Sequence, residues 1–278
     1  MSSAAVVATT PVPETGDQNE LDYAGNVNYW ADRWSQGKTG FHRKDVNPIL
    51  LKNLDRLTGG ASKRIFVPLC GKTLDIPYLY QQGHHVFGVE AVAKAIEELE
   101  TEHSLGLVFN GANSVYATPD GRLRIYVGDI FTCPFEKFGP FDCVWDRGSF
   151  IALEYKFRTK YKKMMQCSLN VKEDSNDKPC KTFLCVQLLK NYKTQFQTIS
   201  FLFTDHEFRY LLETVDYDRN NFGGPPRAVD ENDVQEYFGD WCNWEVISRE
   251  PDLEGNVRRV PNIGPKVDTV VYFLTPKQ

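Results

Sequence analysis

The feature that most constrains this chain is a rhythm that begins at Arg64. Short, β-branched apolar runs alternate there with segments of helical periodicity. IFVPLCG ends in a glycine, as a strand buried on both faces should. TLDIPYLYQQG reads as a helix with a glycine stop, HHVFGVE as a second strand and AVAKAIEELETEHSL as a second helix. RLRIYVGDIF, FDCVWDRGSF and KTFLCVQLL read as third, fourth and fifth strands, with a helix over 157–170 between the last two. Alternation of this kind specifies βαβ units: an α/β, Rossmann-like sheet, mostly parallel, with helices on both faces.

The flanks are simpler. Trp30 and Trp34 lie four apart, on one face of a short helix over 28–36. The turn GKTGFH carries Phe41, and 46–57 has helical spacing with Pro48 tolerable in its first turn. Residues 190–222 break the rhythm and read as an insertion over the carboxyl edge of the sheet. A helix over 230–238 follows, then strands near 241–248 and at TVVYFLT, expected as an antiparallel hairpin at the sheet edge. Residues 1–22 read as a disordered tail, and 23–278 as a single domain.

A net charge of −5 argues against a nucleic-acid binder, which needs a basic face. The cluster Lys156, Arg158, Lys160, Lys162 and Lys163 falls at helical spacing and reads as a solvated helix face. Seven scattered cysteines without a CxxC pair suggest neither a disulfide framework nor a zinc site, and the five histidines form no metal constellation. The N-terminus lacks the basic segment of a signal peptide, and no apolar run is long enough to span a bilayer. The expectation is a cytoplasmic monomer acting on a small molecule, with no metal and no nucleic-acid or membrane partner.

A nucleotide-type cofactor site needs a glycine turn after the first strand and an acid after the second. Gly71 and Glu90 supply them, 19 residues apart. The glycine allows close approach of the backbone, and the carboxylate can accept both ribose hydroxyls. The turn P-L-C-G-K-T-L-D has one glycine where a pyrophosphate site wants G-x-G-x-x-G, so a cofactor without phosphates is favoured, S-adenosylmethionine first among them. At the end of the third strand, Ile130 is a candidate to pack on the adenine, while Asp129 or the local backbone meets its amine. Trp145-Asp146-Arg147-Gly148 ends the fourth strand, facing the reactive end of the cofactor.

In combination, W-x-x-x-W-x-x-G-K-T-x-F-H from Trp30, VPLCGK, GHxVxGVE and WDRG resemble the thiopurine S-methyltransferase family, over residues 26–275. GGPP followed by VD at 223–230 is similar to related thiol and halide methyltransferases. The resemblance implies a class I fold, S-adenosylmethionine as cofactor with S-adenosylhomocysteine as product, and transfer of a methyl group to a small soft nucleophile, a thiol foremost. It implies that Trp30, Trp34 and Phe41 close over the cofactor, that Leu69, Gly71 and Glu90 form its cradle, and that Ile130 meets the adenine. Arg147 is implied beside both cofactor and substrate, and Arg259, or equally Arg258, beside the substrate. Trp30 and Trp34 read equally well as core anchors. Halide, thiocyanate, selenium, tellurium or thioether acceptors remain alternatives, as does a non-catalytic S-adenosylmethionine-binding protein. The chain departs from the mammalian enzymes in extra length before GGPP and in its loop EPDLEGNVRRVPNIG.

Overall fold

The computed structural model describes residues 18–171, 207–252 and 263–277. The chain divides into two compact units, Met1–Thr39 and Gly40–Gln278. The first contains helix α1 (Gln18–Ser35), twice the length expected and starting inside the segment read as a tail. Along it, Tyr29 meets Trp30 edge-on, and Arg33 Nη1 donates to the Tyr29 hydroxyl at 3.4 Å.

The second unit is an α/β sheet. Helix α2 (Pro48–Thr58) starts where Asn47 accepts from the Ile49 amide, with Pro48 in the first turn, where a missing N–H costs nothing. It ends at Gly59, whose φ of +67° only a glycine adopts freely. Then follow β1 (Arg64–Val67), α3 (Asp75–Gln81), β2 (His85–Glu90), α4 (Ala93–His103), β3 (Val108–Asn110), β4 (Val115–Ala117), β5 (Leu123–Val127), β6 (Cys143–Arg147) and α5 (Tyr155–Ser168). After the undescribed stretch come β7 (Arg209–Tyr217), α6 (Glu231–Phe238), β8 (Cys242–Pro251) and β9 (Val267–Pro276).

The strand order is β3-β4-β5-β2-β1-β6-β7-β9-β8. Strands β5, β2, β1, β6 and β7 run parallel, as the alternation dictates. β9 inserts antiparallel beside β7, and β8 closes that edge as its hairpin partner. From β1 the chain winds outward to β2 and β5, then crosses back to β6 and β7. The crevice at the carboxyl ends of β1 and β6 is therefore the switch point where ligands of such sheets bind. Ile65 and Phe66 of β1 and Val144 and Trp145 of β6 are fully buried. Phe66, Phe87, Phe138 and Phe141 stack with centroids 4.6–5.3 Å apart along Phe87–Phe138, Phe66–Phe141 and Phe87–Phe141.

Three expectations change. KTFLCVQLL lies outside the described residues, and the strand beside β6 is Arg209–Tyr217, which the sequence reading assigned to the insertion. Its run RYLLETVDY is buried at most positions, as a central strand must be. The β3–β4 hairpin was not expected at all. Arg158 is not part of a solvated face: it is fully buried, its guanidinium against the rings of Phe150 and Tyr155 at 4.5 and 4.4 Å, with Asp233 at 3.5 Å. Burial of a charge is tolerable because π-faces and a carboxylate replace water.

The described cysteines Cys70, Cys133, Cys143, Cys167 and Cys242 are free thiols, and burial pushes Cys143 up to about 12, leaving it protonated. No helix among the described residues is long and apolar enough to cross a membrane.

Candidate active site

The turn after β1 is held in an unusual backbone shape. Leu69 has φ +40° and Gly71 φ +53°, the first a left-handed conformation that a leucine adopts only under constraint. The constraint comes from β2: Cys70 N donates to Val89 O at 2.9 Å, and Gly71 N donates to Glu90 Oε2 at 2.8 Å. Glu90 Oε1 accepts from Val92 N at 2.9 Å, so one buried carboxylate joins the loops after β1 and β2. Burial raises the Glu90 pKa, and the amides of Val92, Gly71 and Ala91 pull it back.

These residues fit S-adenosylmethionine. Glu90 Oε2 accepts from Gly71 N and Oε1 from Val92 N, and a carboxylate has about four acceptor sites in all, so capacity is left for the ribose hydroxyls. Lys72, the one cation of the turn, is turned away to Glu98 and Glu102 of α4 at 2.8 and 2.6 Å, so it is not poised for a pyrophosphate. At the end of β5, Gly128 N donates to Glu90 O at 3.0 Å, which ties the third loop to the other two. Asp129 accepts from Phe131 N at 2.8 Å and caps a short 3-10 turn, Ile130–Thr132. Ile130 is fully buried, so its side chain offers a ring no surface in this structure; the Asp129 side of the turn is the part left to meet one.

Four residues at the end of β6 divide their tasks. Trp145 Nε1 donates to Asp75 Oδ2 of α3 at 2.8 Å. Asp146, on the opposite face by strand alternation, is fully buried and accepts from the hydroxyls of Tyr161 and Tyr210 at 2.7 and 2.6 Å. Arg147 Nη1 donates to Phe41 O at 3.0 Å, and its Nε lies 3.8 Å from Glu213 Oε1. Ser149 Oγ donates to Pro68 O at 2.7 Å, locking the loop after β6 against the cofactor turn.

The structure also assembles residues that the sequence reading missed. Glu213 is the register partner of Arg147 on β7, and Asn47 Nδ2 donates to its Oε2 at 2.5 Å. Asn47 N donates to Asp75 Oδ1 at 2.8 Å, so a polar chain runs Trp145–Asp75–Asn47–Glu213–Arg147–Phe41. An acid inside the apolar run RYLLETV was the available signal. His42 sits near Arg147 and Lys72; burial first, then those two charges, lowers its pKa to about 3 and keeps it neutral. The loop after β7 docks on the loop after β6: Arg227 N donates to Ile151 O at 2.7 Å, and Tyr217 Oη to Pro226 O at 2.6 Å.

Trp34 is buried and Trp30 half-buried on α1, within the first unit. Arg258 and Arg259 lie outside the described residues. Among the described residues no three His, Cys, Asp or Glu gather into a group able to hold a metal ion.

The family model "Thiopurine S-methyltransferase (TPMT)" matches residues 26–177, more than half of the chain. A probable thiopurine S-methyltransferase of Danio rerio is 30% identical over 82% of this chain and 86% of its own length. The thiopurine S-methyltransferase of Bordetella petrii is 30% identical over 90% and 98%. Among solved structures, the Burkholderia thailandensis 1,6-didemethyltoxoflavin-N1-methyltransferase, bound to S-adenosylhomocysteine, has a TM-score of 0.52 at 13% identity and covers 97% of this chain and 94% of its own. A methyltransferase from Anabaena variabilis gives 0.51 at 11% identity over 91% and 95%. The sheet and its switch-point crevice are those of the class I S-adenosylmethionine-dependent methyltransferases. Within that class, the chain belongs to the thiopurine S-methyltransferase family.

Proposed function

We propose that this chain transfers a methyl group from S-adenosylmethionine to a small soft nucleophile, and that the nucleophile is a thiol. When bound, the cofactor supplies an electrophilic methyl group on a sulfonium. Glu90 accepts the ribose hydroxyls, the backbone at Leu69 and Gly71 lies along the cofactor, and the Asp129–Ile130 turn meets the adenine. Phe41 closes over it. Arg147, with Arg259 or Arg258, stands beside the nucleophile and favours its anionic form by charge. A thiol of pKa about 8.5 is partly ionised at neutral pH, so charge and alignment contribute most of what the reaction asks of the protein.

The observation that carries this reading is the place of Arg147. It ends the strand next to β1, donates to the Phe41 carbonyl, and keeps 21% of its side chain exposed for an anionic partner. The test is transfer of labelled methyl to a panel of alkyl and aromatic thiols, halide, thiocyanate, selenide and thioether, alongside calorimetry with S-adenosylhomocysteine. Uptake by thiols is expected. Uptake by halide or thiocyanate alone would move the substrate to small soft anions, and cofactor binding without any methylated product would leave a non-catalytic binder.

A further inference from the structure

We propose that Glu213 is the base that takes the proton of a thiol methyl acceptor, and that Asn47 and Arg147 hold it for that task. The inference rests on the thiol reading above and adds to it where the sulfur's proton goes. Glu213, midway along β7, stands beside Arg147, which ends the neighbouring parallel strand β6. Asn47 fixes Oε2 at 2.5 Å, while Oε1 lies 3.8 Å from Arg147 Nε, too far for a hydrogen bond. One oxygen is therefore anchored and the other left to receive a proton, with 14% of the side chain exposed.

The surroundings suit a base. Burial holds the Glu213 carboxyl above the usual carboxylate range. The groups facing it act in both directions: Arg147 from β6, Asn47 at the start of α2 and Arg43 before it favour the ionised form, and Asp75 of α3 disfavours it. His42, the other candidate nearby, has its pKa lowered to about 3 and is a poor proton acceptor at neutral pH. The step balances simply. The S–H bond breaks and its proton goes to Glu213 Oε1. The freed sulfur pair forms the new S–CH3 bond, and the electron pair of the breaking C–S⁺ bond stays on the departing thioether. Glu213 then returns its proton to water. Arg147 stabilises the sulfur anion as the proton leaves.

The experiment compares Glu213→Gln with the unaltered protein on two acceptors: an alkyl thiol, mostly protonated at neutral pH, and 5-thio-2-nitrobenzoate, already ionised there. The substituted amide keeps a carbonyl for Asn47 but cannot take a proton. The expected result is a loss of about 100-fold in kcat/KM for the alkyl thiol and no loss beyond about threefold for the ionised one. Retained turnover with the ionised thiol also reports an intact fold. Equal losses on both would reduce Glu213 to a support for Arg147 and overturn the proposal, as would no loss on either. A readout independent of turnover is alkyl-thiol affinity for the S-adenosylhomocysteine-loaded protein. It is expected to be flat from about pH 7 to about pH 8.5, because the proton stays within the complex; a tenfold rise per pH unit would mean that pre-ionised thiolate is what binds, and would overturn the base role. Unaltered protein that turns over neither thiol would instead overturn the thiol reading itself.

Discussion

Asn47 and Glu213 lie 166 residues apart in sequence, yet the Asn47 side-chain amide donates to the Glu213 carboxylate at 2.5 Å. The same asparagine caps α2 through its Oδ1 and anchors Asp75 through its backbone N–H. It is 1% exposed, so none of these bonds is replaceable by water. Asn47→Ala removes the cap, worth about 1 kcal/mol, and one bond to a buried charge, worth about 1.5–3 kcal/mol. The expected loss in urea unfolding is ~3 kcal/mol. Asn47→Asp restores a good cap but sets a second carboxylate against Glu213, so it is expected to be no more stable than Asn47→Ala. A stable Asp variant would mean that the cap alone matters.

Glu90 gives a prediction on the cofactor. Glu90→Gln turns an amide N–H₂ toward the N–H of either Gly71 or Val92, because both carboxylate oxygens now accept from backbone amides. It also loses one acceptor for the ribose. Calorimetry is expected to find S-adenosylhomocysteine binding weakened by at least tenfold, about 1.4 kcal/mol. Unchanged affinity would remove Glu90 from the cofactor site.

Arg147 should act on the other half of the reaction. Arg147→Ala is expected to lower kcat/KM for the methyl acceptor by about 100-fold while the affinity for S-adenosylhomocysteine stays within about threefold. Arg147→Lys should recover little, because an ammonium cannot bond the Phe41 carbonyl and face Glu213 with the same planar fork. Steady-state kinetics and calorimetry on the two variants separate the effects; an unchanged kcat/KM in the alanine variant would rule the arginine out.

His42 sets a pH dependence of stability. Its folded pKa is lowered to about 3 from 6.5. Between those values the unfolded chain binds a proton that the folded chain does not, so stability falls as pH falls through this window, by at most about 1.4 kcal/mol per pH unit. Above pH ~6.5 the contribution is complete. Urea titrations of the native protein and His42→Gln between pH 4 and 7 should diverge, the variant being flatter. Parallel curves would mean that the imidazole takes up its proton freely in the folded state.

The parallel half of the sheet was legible because strands buried on both faces leave continuous apolar runs, as in RIFV and CVW, and because Glu90 and Arg147 end two of them. The β3–β4 hairpin was not: its strands have three residues each, and β3 is exposed throughout, leaving no periodicity to read. Strand β7 was assigned to the insertion because Glu213 and Asp216 interrupt its apolar run, while KTFLCVQLL, outside the described residues, has the more strand-like sequence. Glu213 is polar for the sake of Asn47 and Arg147, partners that no local pattern announces. Pro48 in the first turn of α2 was legible; the bond from Asn47 to Glu213 was not.

The position of β9 bears on synthesis. It leaves the ribosome after both β7 and β8, yet it lies between them, pairing with β7 from Tyr210↔Leu274 to Tyr217↔Val267. Until Val267–Pro276 emerges, β7 shows an open row of amides and carbonyls along an apolar strand, and β8 lacks its strand partner. A nascent chain or a product of premature termination before residue 267 therefore carries an adhesive edge in its middle, and its fate is capture by a chaperone or clumping with its own kind.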